Sequence, residues 1–167
     1  FKLLWKSFNG SGYDIACAQN DMSIFYEIKD EKPMVEQVSF NPIFKENLFF
    51  VHLNEKQDSK EGIAKFRESN QDIEKEIKMI SAISDAFLKA ESIEDFDRLI
   101  IEHERIISSI IKVKPVKEKL FSDYFGEIKS LGAWGGDFVL ATGNSATPAY
   151  FKNKGFETIL TYSEMVL

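Results

Sequence analysis

Between residues 73 and 110 the apolar side chains recur every three or four positions, in two stretches broken near Lys89–Ser92. Ile73, Ile77, Ile80, Ile83, Phe87 and Leu88 fall on one face of a helix. Phe96, Leu99, Ile100, His103, Ile106, Ile107 and Ile110 fall on one stripe of a second. Ser92-Ile93-Glu94-Asp95 places a hydroxyl at the second start and an acid three residues later, a capping-box pattern. Residues 60–68 read as a helical lead-in to the first. Amphipathic helices must bury their apolar faces against another layer, and short β-rich runs supply it. Asn47–Leu53 (NLFFVHL) is the plainest strand. Met22–Lys29 and Val35–Phe40 read as two more, separated by the turn residues Asp30-Glu31-Lys32-Pro33. Phe138–Ala141 and Thr158–Tyr162 complete the set. A short helix is expected over Val116–Phe125 after the break at Pro115, and another over 146–154 with Gly155 as its C-cap. Strands with helices packed on one side predict an α+β sandwich. With no repeat, low-complexity tract or internal linker, 1–167 reads as a single domain.

The totals limit the partners. A net charge of −6 and a pI near 5.1 argue against nucleic acid, because phosphate backbones reward clustered Lys and Arg. No apolar run approaches the ~20 residues of a membrane helix. The single cysteine, Cys17, has no intrachain partner, and no Cys/His cluster suggests zinc. With no secretory signal, a reducing cytoplasm is the expected compartment. The opening at Phe1, on the apolar run Phe1, Leu3, Leu4, Trp5 and Phe8, reads as the C-terminal part of a longer protein. Residues 1–8 then look like a helix end closed by Asn9-Gly10.

Two glycine-rich stretches carry the chemical interest. Asn9-Gly10-Ser11-Gly12-Tyr13-Asp14-Ile15-Ala16 is not a dinucleotide fingerprint, since Ile15 stands where a third small residue is needed and no strand precedes it. No Gly-Lys-Ser/Thr follows, so it is no Walker A loop. A short helix is expected over Tyr13–Gln19, with Ser11 as N-cap. Asp14 is then either a carboxylate that takes a proton or holds magnesium, or a first-turn acid complementing the helix dipole. In Gly132-Ala133-Trp134-Gly135-Gly136-Asp137, three glycines in five residues allow close backbone approach to a ligand, or simply a tight connection into the next strand. Trp134 is either a pocket floor or a core anchor. His103 reads as a core histidine, His52 has no visible partner, and Ser59 near a helix start is first a cap. The charged faces of 71–90 and 92–111 read as solvated surface.

Together GSGYDIA, GAWGGDFVLATG and YFKNKGFETILTYSEMVL resemble the GHMP kinase superfamily, in the group named after its Gly-Tyr-Asp-Ile-Ala motif, across essentially the whole chain as the C-terminal half of such a kinase. The resemblance implies a ferredoxin-like α+β domain, an antiparallel sheet with helices on one face, to which residues 1–20 contribute the end of the interdomain region. It implies transfer of the γ-phosphate of ATP to a small-molecule hydroxyl, mevalonate-like by analogy, with Mg2+. Asp14 inherits the role of catalytic base from a Ser-Gly-x-Asp pattern, here Ser11-Gly12-Tyr13-Asp14. Gly132, Ala133, Trp134, Gly135 and Gly136 correspond to the loop bordering substrate and phosphates, and Ser59 to a Ser/Thr near the substrate. ATP and Mg2+ would be bound mainly by an N-terminal half, since the family's Gly-Leu-Gly-Ser-Ser-Ala-Ala loop and upstream lysine are not in these residues. Trp134 stands where the family has glycine, and Asp137 adds a negative charge. The alternatives are a non-catalytic metabolite-binding or regulatory module on the same fold, and an interaction domain that forms a homodimer.

Overall fold

A computed structural model of the chain describes residues 12–30, 32–54, 72–132 and 137–166. The expected helix end at 1–8 and the lead-in at 60–68 lie outside these. The described residues divide into two compact units, one before Pro42 and the other Pro42–Val166.

In the first unit, helix α1 (Tyr13–Ala18) precedes a hairpin of β1 (Ile24–Lys29) and β2 (Lys32–Gln37). Strand β2 begins at Lys32 rather than Val35, because Lys29 pairs directly with Lys32 across a two-residue connection. Asp30 adopts φ 49 there, the left-handed geometry of the primed turns that match strand twist. Pro33 is tolerated because a two-stranded sheet leaves β2 a free edge. The ring of Tyr13 meets Tyr26 edge-on at 5.7 Å, tying α1 to β1.

The second unit begins with β3 (Leu48–His52), whose run of apolar residues suits a strand covered on both faces. Helices α2 (Glu74–Phe87) and α3 (Ile93–Ile111) follow, then the short α4 (Val116–Leu120). Strand β4 (Ile128–Ser130) pairs with β5 (Phe138–Thr142), and α5 (Thr147–Asn153), β6 (Ile159–Thr161) and α6 (Tyr162–Met165) finish the unit. Ser92 caps α3 as expected, its Oγ accepting the Asp95 amide at 3.1 Å and donating to the Asp95 carboxylate at 2.6 Å. Two expectations are corrected. Helix α4 stops at Leu120, short of Phe125. Tyr162 opens a helical turn, with Thr161 and Glu164 forming a capping box, instead of ending the last strand.

The sheet of this unit runs β4-β5-β3-β6, with every neighbouring pair antiparallel. Counting its strands in chain order gives 4-1-3-2 read from the β6 edge, with helices after the first and third strands. This architecture is α+β and compatible with a ferredoxin-like arrangement. Register puts Ile128, Ala141 and Phe49, and likewise Ser130, Val139 and Val51, on one face. That face joins a core with Leu53, Val116 of α4, Phe121, Tyr124 and Phe151 of α5. Helices α4 and α5 cover this face, while α3 touches side chains of both faces, Glu104 bonding Ser130 on it and Asp97 bonding Thr142 on the other. Phe121 and Phe151 are fully buried and meet edge-on at 5.1 Å.

Candidate functional site

Asp14 stands in the first turn of α1, exposed to solvent. The residue before that helix is Gly12, at φ 79 and ψ 6, with no side chain capping the turn. The N-cap is therefore Gly12 and not Ser11, because the chain enters this helix through a left-handed residue that favours glycine. Behind Asp14, the hydrogen bond with the Cys17 thiol and then burial push the Tyr13 phenol up to about 12. Cys17 is partly buried, as its small apolar character suggests.

The second glycine-rich stretch connects β4 to β5. Sequence reading left Ile128–Ser130 outside any strand, yet these residues pair with Val139–Ala141, so 131–137 is a hairpin connection. Its described ends both take left-handed geometry, Gly132 at φ 61 and Asp137 at φ 48. The Leu131 amide donates to the Phe138 carbonyl at 3.2 Å, and the Leu53 amide to the Asp137 carbonyl at 2.7 Å. The first bond closes the base of the hairpin, and the second ties it to the residue that follows β3. Ser11, Ser59, Ala133, Trp134, Gly135 and Gly136 lie outside the described residues. Of the residues singled out in the sequence, Gly12 and Asp14 fall in the first unit and Gly132 in the second.

Next to β4 lies a polar cluster whose Glu104 belongs to a charged helix expected from sequence to be solvated surface. Glu104 is only 4% exposed. Its Oε2 accepts the Ser130 hydroxyl at 2.9 Å, and its Oε1 stands 3.3 Å from His103 Nδ1. His103 also rests against Phe87, the packing role expected of it. The signal was present in the spacing. Glu104 follows Ile100 by four residues, which places a carboxylate on the buried stripe of α3. Lys129, between Ile128 and Ser130, is mostly buried, and that burial holds its ammonium below the usual lysine value despite the nearby Glu104 charge.

A second network sits at the opposite end of β5. Thr142 Oγ1 donates to Asp97 Oδ1 at 2.5 Å and accepts the Glu127 amide at 2.9 Å. Burial raises the Asp97 carboxyl, the Thr142 bond opposes that, and the Glu127 charge adds to it. Glu127 in turn pairs with Lys117 at 2.7 Å. Tyr124 donates to the Thr142 carbonyl at 2.8 Å and shares a 2.9 Å bond with Thr147 Oγ1. A methyl on Gly143 would collide with that Thr147 hydroxyl, and one on Gly126 with the Thr142 carbonyl. This corner is closely packed polar structure.

His52 Nδ1 lies 3.2 Å from Asn54 Oδ1 and its ring against Phe138, a local partner that the sequence did not reveal. A shallow groove of about 400 Å³ is lined in part by Ala86, Lys89, Glu91 and Arg98, and no site residue chosen from sequence is among its lining. Among the described residues no three His, Cys, Asp or Glu side chains converge as metal ligands, and no helix is long and apolar enough to cross a membrane. No protein-family model matches the chain, and no curated protein matches it.

Proposed function

We propose that this chain is the C-terminal, substrate-side part of an ATP-dependent small-molecule kinase of the GHMP type. The observation that carries the reading is the ordered pair of motifs, Ser11-Gly12-Tyr13-Asp14 and Gly132-Ala133-Trp134-Gly135-Gly136, on an α+β chain. The exposed carboxylate of Asp14 behind a left-handed glycine, and a glycine-rich β-hairpin connection in a βαββαβ unit, support it. In this reading the acceptor hydroxyl attacks the γ-phosphorus of ATP, ADP departs, and Asp14 takes the hydroxyl proton. The 132–136 segment borders the acceptor, a small hydroxylated metabolite. In this reading the chain's part is acceptor binding and proton removal, with ATP and Mg2+ held mainly by an N-terminal half, as the family resemblance implies.

Asp14→Asn in the whole protein tests it. Turnover should fall about 10²- to 10⁴-fold, the usual worth of a positioned base, with ATP affinity little changed. Undiminished turnover removes Asp14 from the chemistry. The exposed, left-handed Asp137 beside the loop favours a second reading, a metabolite-binding module without catalysis. Acceptor binding by calorimetry with no ATP consumed fits that reading alone.

A further inference from the structure

An edge strand offers its outward backbone groups to any strand able to pair with it. The register of the β1–β2 hairpin decides which groups β2 offers. The Val38 amide donates to the Ser23 carbonyl at 2.8 Å, and Lys29 faces Lys32 across the turn. Bonded pairs alternate along an antiparallel ladder, so Lys32, Met34 and Glu36 direct their backbone groups toward β1. Pro33, Val35 and Gln37 direct theirs outward, which is why Pro33 breaks no rung of the hairpin. Among the described residues no further strand lies on that side. Side chains alternate as well. Lys32, Met34 and Glu36 share one face of the hairpin and are all exposed, Met34 at 55%. Among the described residues neither Lys32 nor Glu36 has an ion-pair partner.

Lys32 and Glu36 stand two residues to either side of Met34 with opposite charges. We propose that β2 is a homodimer edge, pairing antiparallel with the β2 of a second copy about a two-fold axis at Met34. That register sets Lys32 of each copy directly opposite Glu36 of the other, in the non-bonded positions where side chains come closest. Met34 meets its own counterpart on the axis, a contact that a flexible thioether side chain fills readily. Val35 faces Pro33 of the other copy and donates its outward amide to that proline's carbonyl, and symmetry makes the bond twice. Moving the axis to Pro33 or Val35 would set Met34 against Lys32 or Glu36 and leave the charges without opposites. Lysine and proline on an edge ordinarily keep other strands away. Here they turn away strands that lack an acid at the matching position and admit this one. The contact does not rest on the kinase reading.

Sedimentation equilibrium of the full chain over a range of concentrations tests it, and a monomer–dimer equilibrium is expected. Lys32→Glu alone and Glu36→Lys alone each bring like charges face to face, and each should weaken association at least about tenfold. Mixed one to one, the two variants oppose unlike charges at both positions, and association should return to near its native strength. Val35→Pro keeps every rung to β1 and removes the outward amide, so it should also weaken the dimer about tenfold or more. A chain that stays monomeric up to about 1 mM overturns the proposal, and so does a dimer that the three variants leave unmoved. Loss in both charge variants without recovery on mixing overturns it too. Should those variants not fold, Met34→Cys in a Cys17→Ser chain decides, because the axis places position 34 within disulfide reach of its counterpart. Mild oxidation should link the copies there and not in the equally exposed Val113→Cys. Absence of the link, or equal linking at position 113, overturns the interface.

Discussion

The hydroxyl of Thr142 has one proton to give, and it goes to Asp97 rather than to water. That arrangement fixes the sign of a pH effect. Burial raises the folded-state proton affinity of Asp97 above that of the unfolded chain. The folded protein therefore binds more protons in the interval between the two values, and the Asp97 contribution, full below the unfolded value, is lost as pH rises through the folded one. Asp97→Asn keeps an acceptor for Thr142 without a charge. It should raise the melting temperature at neutral pH and flatten the stability profile above about pH 4, the unfolded carboxylate value. Thermal melts from acid to neutral pH check this, and an unchanged slope would exclude Asp97 as its source. Nearby, Tyr124→Phe leaves the Thr142 carbonyl and the Thr147 hydroxyl each short of a partner in a buried place. A loss of about 1–3 kcal/mol in denaturant unfolding is expected. Neither residue stood out in the sequence. A threonine and a tyrosine are legible as partners only once the fold brings positions 97, 124, 142 and 147 to one corner.

Elements were more legible than side-chain partners, because caps and periodicity are local. Ser92 was readable as the start of α3 since its hydroxyl serves an amide three residues on. Ser92→Ala should cost about 0.5–2 kcal/mol, measured by urea titration. The end of α5 was readable for the same reason. Gly155, at φ 90, gives its amide to Lys152, and Phe156 gives its own to Phe151, a Schellman closure that folds Phe156 onto Phe121. Gly155→Ala has open space for its methyl, yet must hold a left-handed backbone. A cost of about 1–2 kcal/mol by the same assay is therefore expected, and a neutral result would mean the turn relaxes. Strand β4 escaped notice because three residues are too few to show alternation, and Lys129 interrupts them. Thr161-Tyr162-Ser163-Glu164 carried a readable capping box. It was hidden by the β-rich character of the residues before it.

For the whole chain, the α+β class follows from sequence because both helical stripes and strand runs are strong, whereas strand order is a non-local choice no window reveals. Nor did composition mark a boundary at Asn41, where the described contacts divide. The two units differ in what can hold them together. Among its described residues the first has a two-stranded hairpin and one short helix, with Ala16 as the fully buried apolar residue. An isolated hairpin of that size is marginal in water. The second has a four-stranded sheet closed by Phe121, Phe151, Val51 and Val139, all essentially inaccessible to solvent. A core of that kind belongs to a segment that folds by itself. Residues 42–166 expressed alone should therefore unfold in one cooperative transition with an α+β circular dichroism spectrum, while residues 1–41 alone should show no cooperative melt. If the 42–166 fragment instead bound a hydrophobic dye and melted without cooperativity, its sheet would depend on residues before Pro42, and the boundary there would be one of chain contacts only and not of folding.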